Sequence, residues 1–213
     1  MTFIAKDIHT KTILVATQNM NKRKEIFTML KNVPGILLRN VEDFPFLPEV
    51  NEDGRTFQEN AIKKATTLAR ACNTWAMADD SGLQIDALNG LPGITSSRYA
   101  GPNATDEERI QKVLLELKGV PKEKRTARFI CSIALATPQK LLFVVEGKAE
   151  GFITEEPKGA HGFGYDPIFL SPDYNHTFAE LAAGSASIKN KISHRSQALR
   201  LFKKRIQPFL HNL

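Results

Sequence analysis

Ala78-Asp79-Asp80-Ser81-Gly82-Leu83 is the stretch on which the reading of this chain turns. It follows a short apolar approach, Trp75-Ala76-Met77, and places two carboxylates, a hydroxyl and a glycine at the expected end of a strand. Asp, Ser and Gly are all turn formers, so by itself the stretch reads as a turn. The competing reading is chemical. Carboxylate oxygens suit a hard cation such as Mg²⁺, and glycine lets another group come close to the backbone. The surrounding segments decide between the two.

Upstream, Thr56-Phe57-Gln58-Glu59 has capping-box spacing, and Phe57, Ala61, Ala65, Leu68 and Cys72 recur behind it every three or four residues. This predicts a helix, with Glu59 as part of its cap. Glu52 lies in the acidic, proline-bearing loop before that helix and has no such structural duty, with Glu49 as its competitor. Further back, Thr12 to Thr17 is a continuous apolar run, as expected of a strand buried on both faces. A polar loop, Gln18-Asn19-Met20-Asn21-Lys22, leads to a helix expected from Arg23, where free N–H groups and Lys22 would favour an anion.

Downstream, Thr105 to Glu108 is a second capping box, opening a helix with Ile110, Val113, Leu114 and Leu117 on one face. Ala127 to Leu135 alternates as a strand, and Leu141 to Val145 reads as its antiparallel partner. A glycine-rich loop from Gly159 to Tyr165, a short strand at Ile168-Phe169-Leu170, and a helix near Thr177 follow. The last helix starts at Ser193 and presents Ala198, Leu199, Phe202 and Ile206 to the core. Neither a repeat nor a composition break divides residues 1–213, so a single mixed α/β domain is expected.

With 42% hydrophobic and 24% charged residues the chain has the composition of a folded soluble protein. A net charge of +6 suits polyanions or phosphorylated small molecules. Cys72 and Cys131 form no metal or disulfide pattern, the first residues lack the apolar core of a signal peptide, and no run reaches membrane-spanning length; a cytoplasmic setting is expected. A nucleic-acid-binding domain is the alternative that the charge suggests. It lacks a recognisable motif, and the carboxylates would repel phosphates unless a metal were bound.

Four polar clusters stand out, all expected at element ends: Thr17–Lys22; Glu52 with Asp79 and Asp80; Gly162-Phe163-Gly164-Tyr165-Asp166-Pro167; and Ser193-His194-Arg195. A phosphate site, a metal site, an aromatic loop and a donor pair together describe a nucleoside triphosphate pocket.

These segments, with Leu14-Val15-Ala16-Thr17-Gln18-Asn19, Thr56 to Ala61, Pro92-Gly93-Ile94, Ser97-Arg98-Tyr99 and Ile192-Ser193-His194-Arg195, resemble the inosine/xanthosine triphosphate pyrophosphatase family from Ile13 to Ile206. The resemblance implies an elongated mixed α/β fold, a twisted sheet flanked by helices, with two lobes and the active site in the cleft between them. It implies a homodimer that hydrolyses ITP, dITP and XTP with Mg²⁺, and no nucleic-acid or membrane partner. By the same resemblance Thr17, Gln18, Asn19, Met20, Asn21 and Lys22 would hold phosphates. Asp80 would be the general base and metal ligand, Asp79 and Glu52 its metal partners, and Ser81 a substrate contact. Phe163, Gly164, Tyr165, Asp166, Lys189 (with Lys191 as competitor), His194 and Arg195 would surround the nucleotide. Gln18 and Asn21 stand where the family's phosphate loop has glycine.

Overall fold

The computed structural model describes residues 10–183 and 188–211. Its frame is a seven-stranded sheet in the order β2-β1-β3-β4-β5-β6-β7. The chain enters at β1 (Lys11–Val15), passes through α1 (Met20–Leu30) to β2 (Ile36–Arg39), and returns by α2 (Phe57–Cys72) to β3 (Trp75–Ile85). Then come α3 (Asp106–Glu116), the long antiparallel pair β4 (Thr126–Ala136) and β5 (Leu141–Ile153), and the short strands β6 (Phe169–Ser171) and β7 (His176–Thr177). Three helices close the chain: α4 (Phe178–Leu181), α5 (Lys189–Ile192) and α6 (His194–His211). β1 runs parallel to both of its neighbours, and all other pairings are antiparallel, so the sheet is mixed as expected.

The apolar run of β1 is buried on both faces, with Ile13 packed on one side and Leu14 on the other. Ala198, Leu199, Phe202 and Ile206 of α6 are fully buried against the first of these faces. Each of the large ones contributes about 1.5–3 kcal/mol by leaving water. The face opposite is covered by α2 through small residues, Ala61, Ala65 and Ala69 against Ala76, Ala78 and Ala134. A third cluster, from Leu83 and Ile85 to Phe169 and Phe178, lies at the other end of β3 and β4 under α3 and α4.

Two expectations are corrected here. α1 begins at Met20, not Arg23, because Asn19 caps it: the Asn19 side chain accepts hydrogen bonds from the Asn21 and Lys22 N–H groups. Asp79 to Gly82 is neither a turn nor a strand end. It lies within β3, where Asp79, Asp80 and Ser81 pair with Ile133, Ser132 and Cys131 of β4. The turn propensity of Asp-Ser-Gly is a local preference, and a ladder running from Ala76 to Ile85 overrides it.

The opposite edge of β3 is different. β1 pairs only with Trp75, Ala76 and Met77, and the last bond across is from Ala16 N–H to the Met77 carbonyl. Beyond that point β1 leaves for α1, so the Asp79–Gly82 edge faces a notch in the sheet.

Candidate active site

A cavity of about 1030 Å³ opens along this notch, large enough for a nucleotide with its bound water. Thr17, Gln18, Asn19 and Lys22 line it with Asp80, Ser81, Glu52 and Lys64. Phe163, Gly164, Tyr165, Asp166, His194 and Arg195 line it as well, and Arg195 Nη2 donates to Ser81 Oγ at 2.8 Å. Met20 and Asn21 are exposed and lie off the wall, because the first turn of α1 carries them outward. Neither Gln18 nor Asn21 has a positive φ, so the absence of glycine imposes no backbone strain there.

Successive residues of a strand point to opposite faces, and this separates the two adjacent carboxylates. Asp79 shares the α1/α6 face with Ile133, where Lys22 lies 3.0 Å and Arg195 3.1 Å from its Oδ2. Asp80 shares the α2 face, where Asn60 Nδ2 donates to Oδ2 at 2.9 Å and the Ser81 N–H donates to Oδ1. Lys64 stands between Asp80 and Glu52, 4.0 Å from the first and 3.1 Å from the second, and also donates to the Asp79 carbonyl. Asp79 and Asp80 therefore meet different partners, and Asp79 sits as a buried charge partner of Lys22 and Arg195.

The Asp79 side belongs to an alternating chain of charge: Lys22, Asp79, Arg195, Glu25, Lys189, Asp166. Three cations and three carboxylates balance, which is how six charges with little access to water can be held together. Burial raises the Asp79 carboxyl, but Lys22, Arg195 and Lys64 outweigh it and hold the group well below the usual carboxylate range. For Asp80, burial wins over Lys64 and the Asn60 hydrogen bond, and its carboxyl is pushed up. Lys189 is buried in this chain, with its Nζ 4.4 Å from the centre of the Phe163 ring, whereas Lys191 is exposed.

His194 and Arg195 are seated by a close approach. A Cβ on Gly147 of β5 would lie 2.2 Å from the His194 carbonyl and 2.4 Å from the Ala198 nitrogen, so only glycine lets the start of α6 lie this near the sheet. Ser193 caps that start by accepting from the Ser196 N–H. Four of the five guanidinium N–H groups of Arg195 are committed: Nε and one on Nη2 to Asp79, one on Nη1 to Glu25, and the other on Nη2 to Ser81. His194 stacks on Phe129, and its buried Nδ1 has no partner among the described residues. Burial, with Arg195 and Lys189 nearby, lowers its pKa well below the ordinary value, so the ring is neutral.

Gly82 acts as the sequence suggested. A Cβ there would meet Ser96 Oγ at 2.4 Å and the Gly93 carbonyl at 2.6 Å, so the Pro92–Ser96 turn packs directly on β3.

Sequence reasoning missed Asn60, Lys64 and Glu25. Asn60 carried a usable signal, being a polar residue at helical spacing among Phe57, Ala61 and Ala65, all buried. Glu59 is the exposed cap it was expected to be, although its carboxylate accepts from the Arg55 N–H. Among the described residues no three His, Cys, Asp or Glu side chains gather as a ready-made metal cage.

The Ham1 family model matches residues 13–205. The chain is 50% identical to a dITP/XTP pyrophosphatase of Shouchella clausii over 195 residues, 92% of this chain and 96% of that protein. It is 47% identical to a dITP/XTP pyrophosphatase of Bacillus subtilis, again over 92% of this chain and 98% of that protein. Among solved structures, a HAM1 protein from Coxiella burnetii superimposes with a TM-score of 0.84 at 44% identity, covering 93% of this chain and all of that one (100%).

Proposed function

Since this chain belongs to the Ham1 family, we propose that it hydrolyses deaminated purine nucleoside triphosphates, ITP, dITP and XTP, to the monophosphate and pyrophosphate. One observation carries the reading. A single cavity is lined by lysines, carboxylates, an aromatic loop and the fixed donor of Arg195, the groups a triphosphate attached to a purine requires. The dITP/XTP pyrophosphatases named above support it through nearly their whole length.

Asp80 and Glu52 fit a divalent cation, since the Lys64 ammonium already bridges them. Mg²⁺ binds through one or two carboxylates and completes its shell with water and phosphate oxygens, so a three-residue cage is not required. When bound it would lower the pKa of water and offset charge on the phosphates. Asp80 would take a proton from the water that attacks the α-phosphorus, so that the α–β anhydride bond breaks and pyrophosphate leaves. Lys22 and the start of α1 would balance the charge that grows on the leaving group.

At the base, hypoxanthine and xanthine present O6 as an acceptor where adenine presents an amino donor. The uncommitted Arg195 N–H is the fixed donor available to read it, with His194 beside it in the cavity lining. A buried donor left unpaired costs about 1–3 kcal/mol, or roughly 5- to 150-fold per contact. The two free cysteines agree with a reducing setting, and we extend the proposal to a cytoplasmic homodimer without a nucleic-acid partner.

The test is pyrophosphate release from ITP against ATP and GTP, with and without Mg²⁺. ITP is expected to be favoured over ATP by at least about fivefold. Equal rates on all three would overturn the selectivity, and orthophosphate as the product would overturn the reaction class.

A further inference from the structure

We infer that Asp106, in the first turn of α3, is a positioning residue that fixes the Gly162–Asp166 loop against the cavity. For its effect on turnover, the inference rests on the function proposed above. Asp106 Oδ2 accepts the Gly164 N–H at 2.6 Å, a bond between segments far apart in the chain. Its other carboxylate oxygen is held by the Arg109 guanidinium, which also donates to the Ser97 and Ala104 carbonyls. Asp106, Arg109 and Gly164 all line the cavity.

The loop needs such a tie. Gly162 and Gly164 have φ values of +81° and +62°, conformations that glycine adopts without fixing them. Two consecutive amides are pinned by carboxylates, one within the loop and one from α3. Phe163 N–H donates to Asp166 Oδ2, inside the buried charge chain, and Gly164 N–H donates to Asp106, across the cavity wall. The Tyr165 hydroxyl adds a third tie, to the Ser96 carbonyl. Together they hold the Phe163 ring over Lys189 and 5.8 Å from the Arg195 guanidinium. Losing the Asp106 tie would leave Gly164 free to turn and the ring free to tilt away from a bound base.

Capping of α3 is a separate task. Thr105 Oγ accepts the Glu108 N–H, and the Glu108 carboxylate accepts the Thr105 N–H, so the helix start is satisfied without the Asp106 side chain. This supplies an internal control. Asp106→Ala is expected to raise KM for ITP roughly fivefold or more with kcat within about twofold, as for one lost hydrogen bond. It should also speed amide hydrogen exchange in the peptide spanning 162–166. Asp106→Asn, which keeps an acceptor for Gly164, restores both readouts toward wild type. Arg109→Gln, which frees Asp106, moves both in the same direction as Asp106→Ala but less. Thr105→Ala lowers Tm and leaves KM and local exchange unchanged.

Unchanged KM and exchange in Asp106→Ala, or a KM shift reproduced by Thr105→Ala, would overturn the assignment. If the wild-type protein does not hydrolyse ITP, the functional reading fails, and the exchange comparison still decides whether Asp106 holds the loop.

Discussion

Asp79 and Asp80 are neighbours in the chain and occupy opposite environments. On the α1/α6 face, Asp79 is closed in by Lys22 and Arg195 and forms part of a charge-balanced row that reaches Asp166. On the α2 face, Asp80 meets one amide, one shared lysine and the open cavity. The same residue type is thus held ionised on one side and pushed toward protonation on the other. The difference shows how a single strand divides labour: one face builds the platform that orients cationic donors, and the other presents a carboxylate to the cavity.

Exchanging each carboxylate for its amide is the sharpest way to break this comparison. Asp80→Asn should lower turnover of ITP by roughly 10²–10⁴-fold while ITP still binds, with little change in unfolding free energy. Steady-state kinetics alongside equilibrium binding would check it, and full activity would remove Asp80 from the centre of the site.

Asp79→Asn should act chiefly on stability. Removing one partner of a buried pair typically costs about 3–5 kcal/mol, because Lys22 loses its counter-charge and Arg195 is left with Glu25 alone. Because the folded-state pKa of Asp79 is depressed, its contribution is present above the ordinary carboxylate value and fades as pH falls below it. The deficit of the variant in denaturant unfolding should therefore be widest near neutrality and narrow in acid. A deficit independent of pH would show that charge pairing is not its source.

Lys64→Met should give the smallest effect and sharpen the Asp80 side. Lys64 lowers the Asp80 pKa, so its loss raises that pKa further, and the acid limb of the pH–rate profile should move to higher pH. A limb that stays in place would mean that Asp80 does not set it.

Much of this molecule was legible because the relevant signals are periodic. The caps at Thr56 and Thr105 and the apolar stripe of α6 follow from 3.6-residue spacing and formed where expected; β4 formed too, but its half-buried alternation ends at Ile130, and from Cys131 to Ala136 it is buried on both faces. The Phe163–Asp166 loop and the His194–Arg195 pair were legible as chemistry, and the fold brings them to one cavity. The start of α1 was misjudged because Asn19 can belong either to a polar loop or to a cap, and only the geometry of its side chain shows which.

For the stretch from Asp79 to Gly82, the sequence by itself determined its chemical content: two carboxylates, a hydroxyl and a glycine that admits a close neighbour. Tertiary structure decided the rest. Pairing with β4 made the stretch a strand, the departure of β1 after Ala16 opened its other edge, and strand alternation sent the two carboxylates to different faces. Lys22, Asn60, Lys64 and Arg195 then fixed what each carboxylate can do. Spacing along a chain records which face a residue takes within its own element, whereas a carboxylate's charge state depends on groups that reach it from other elements.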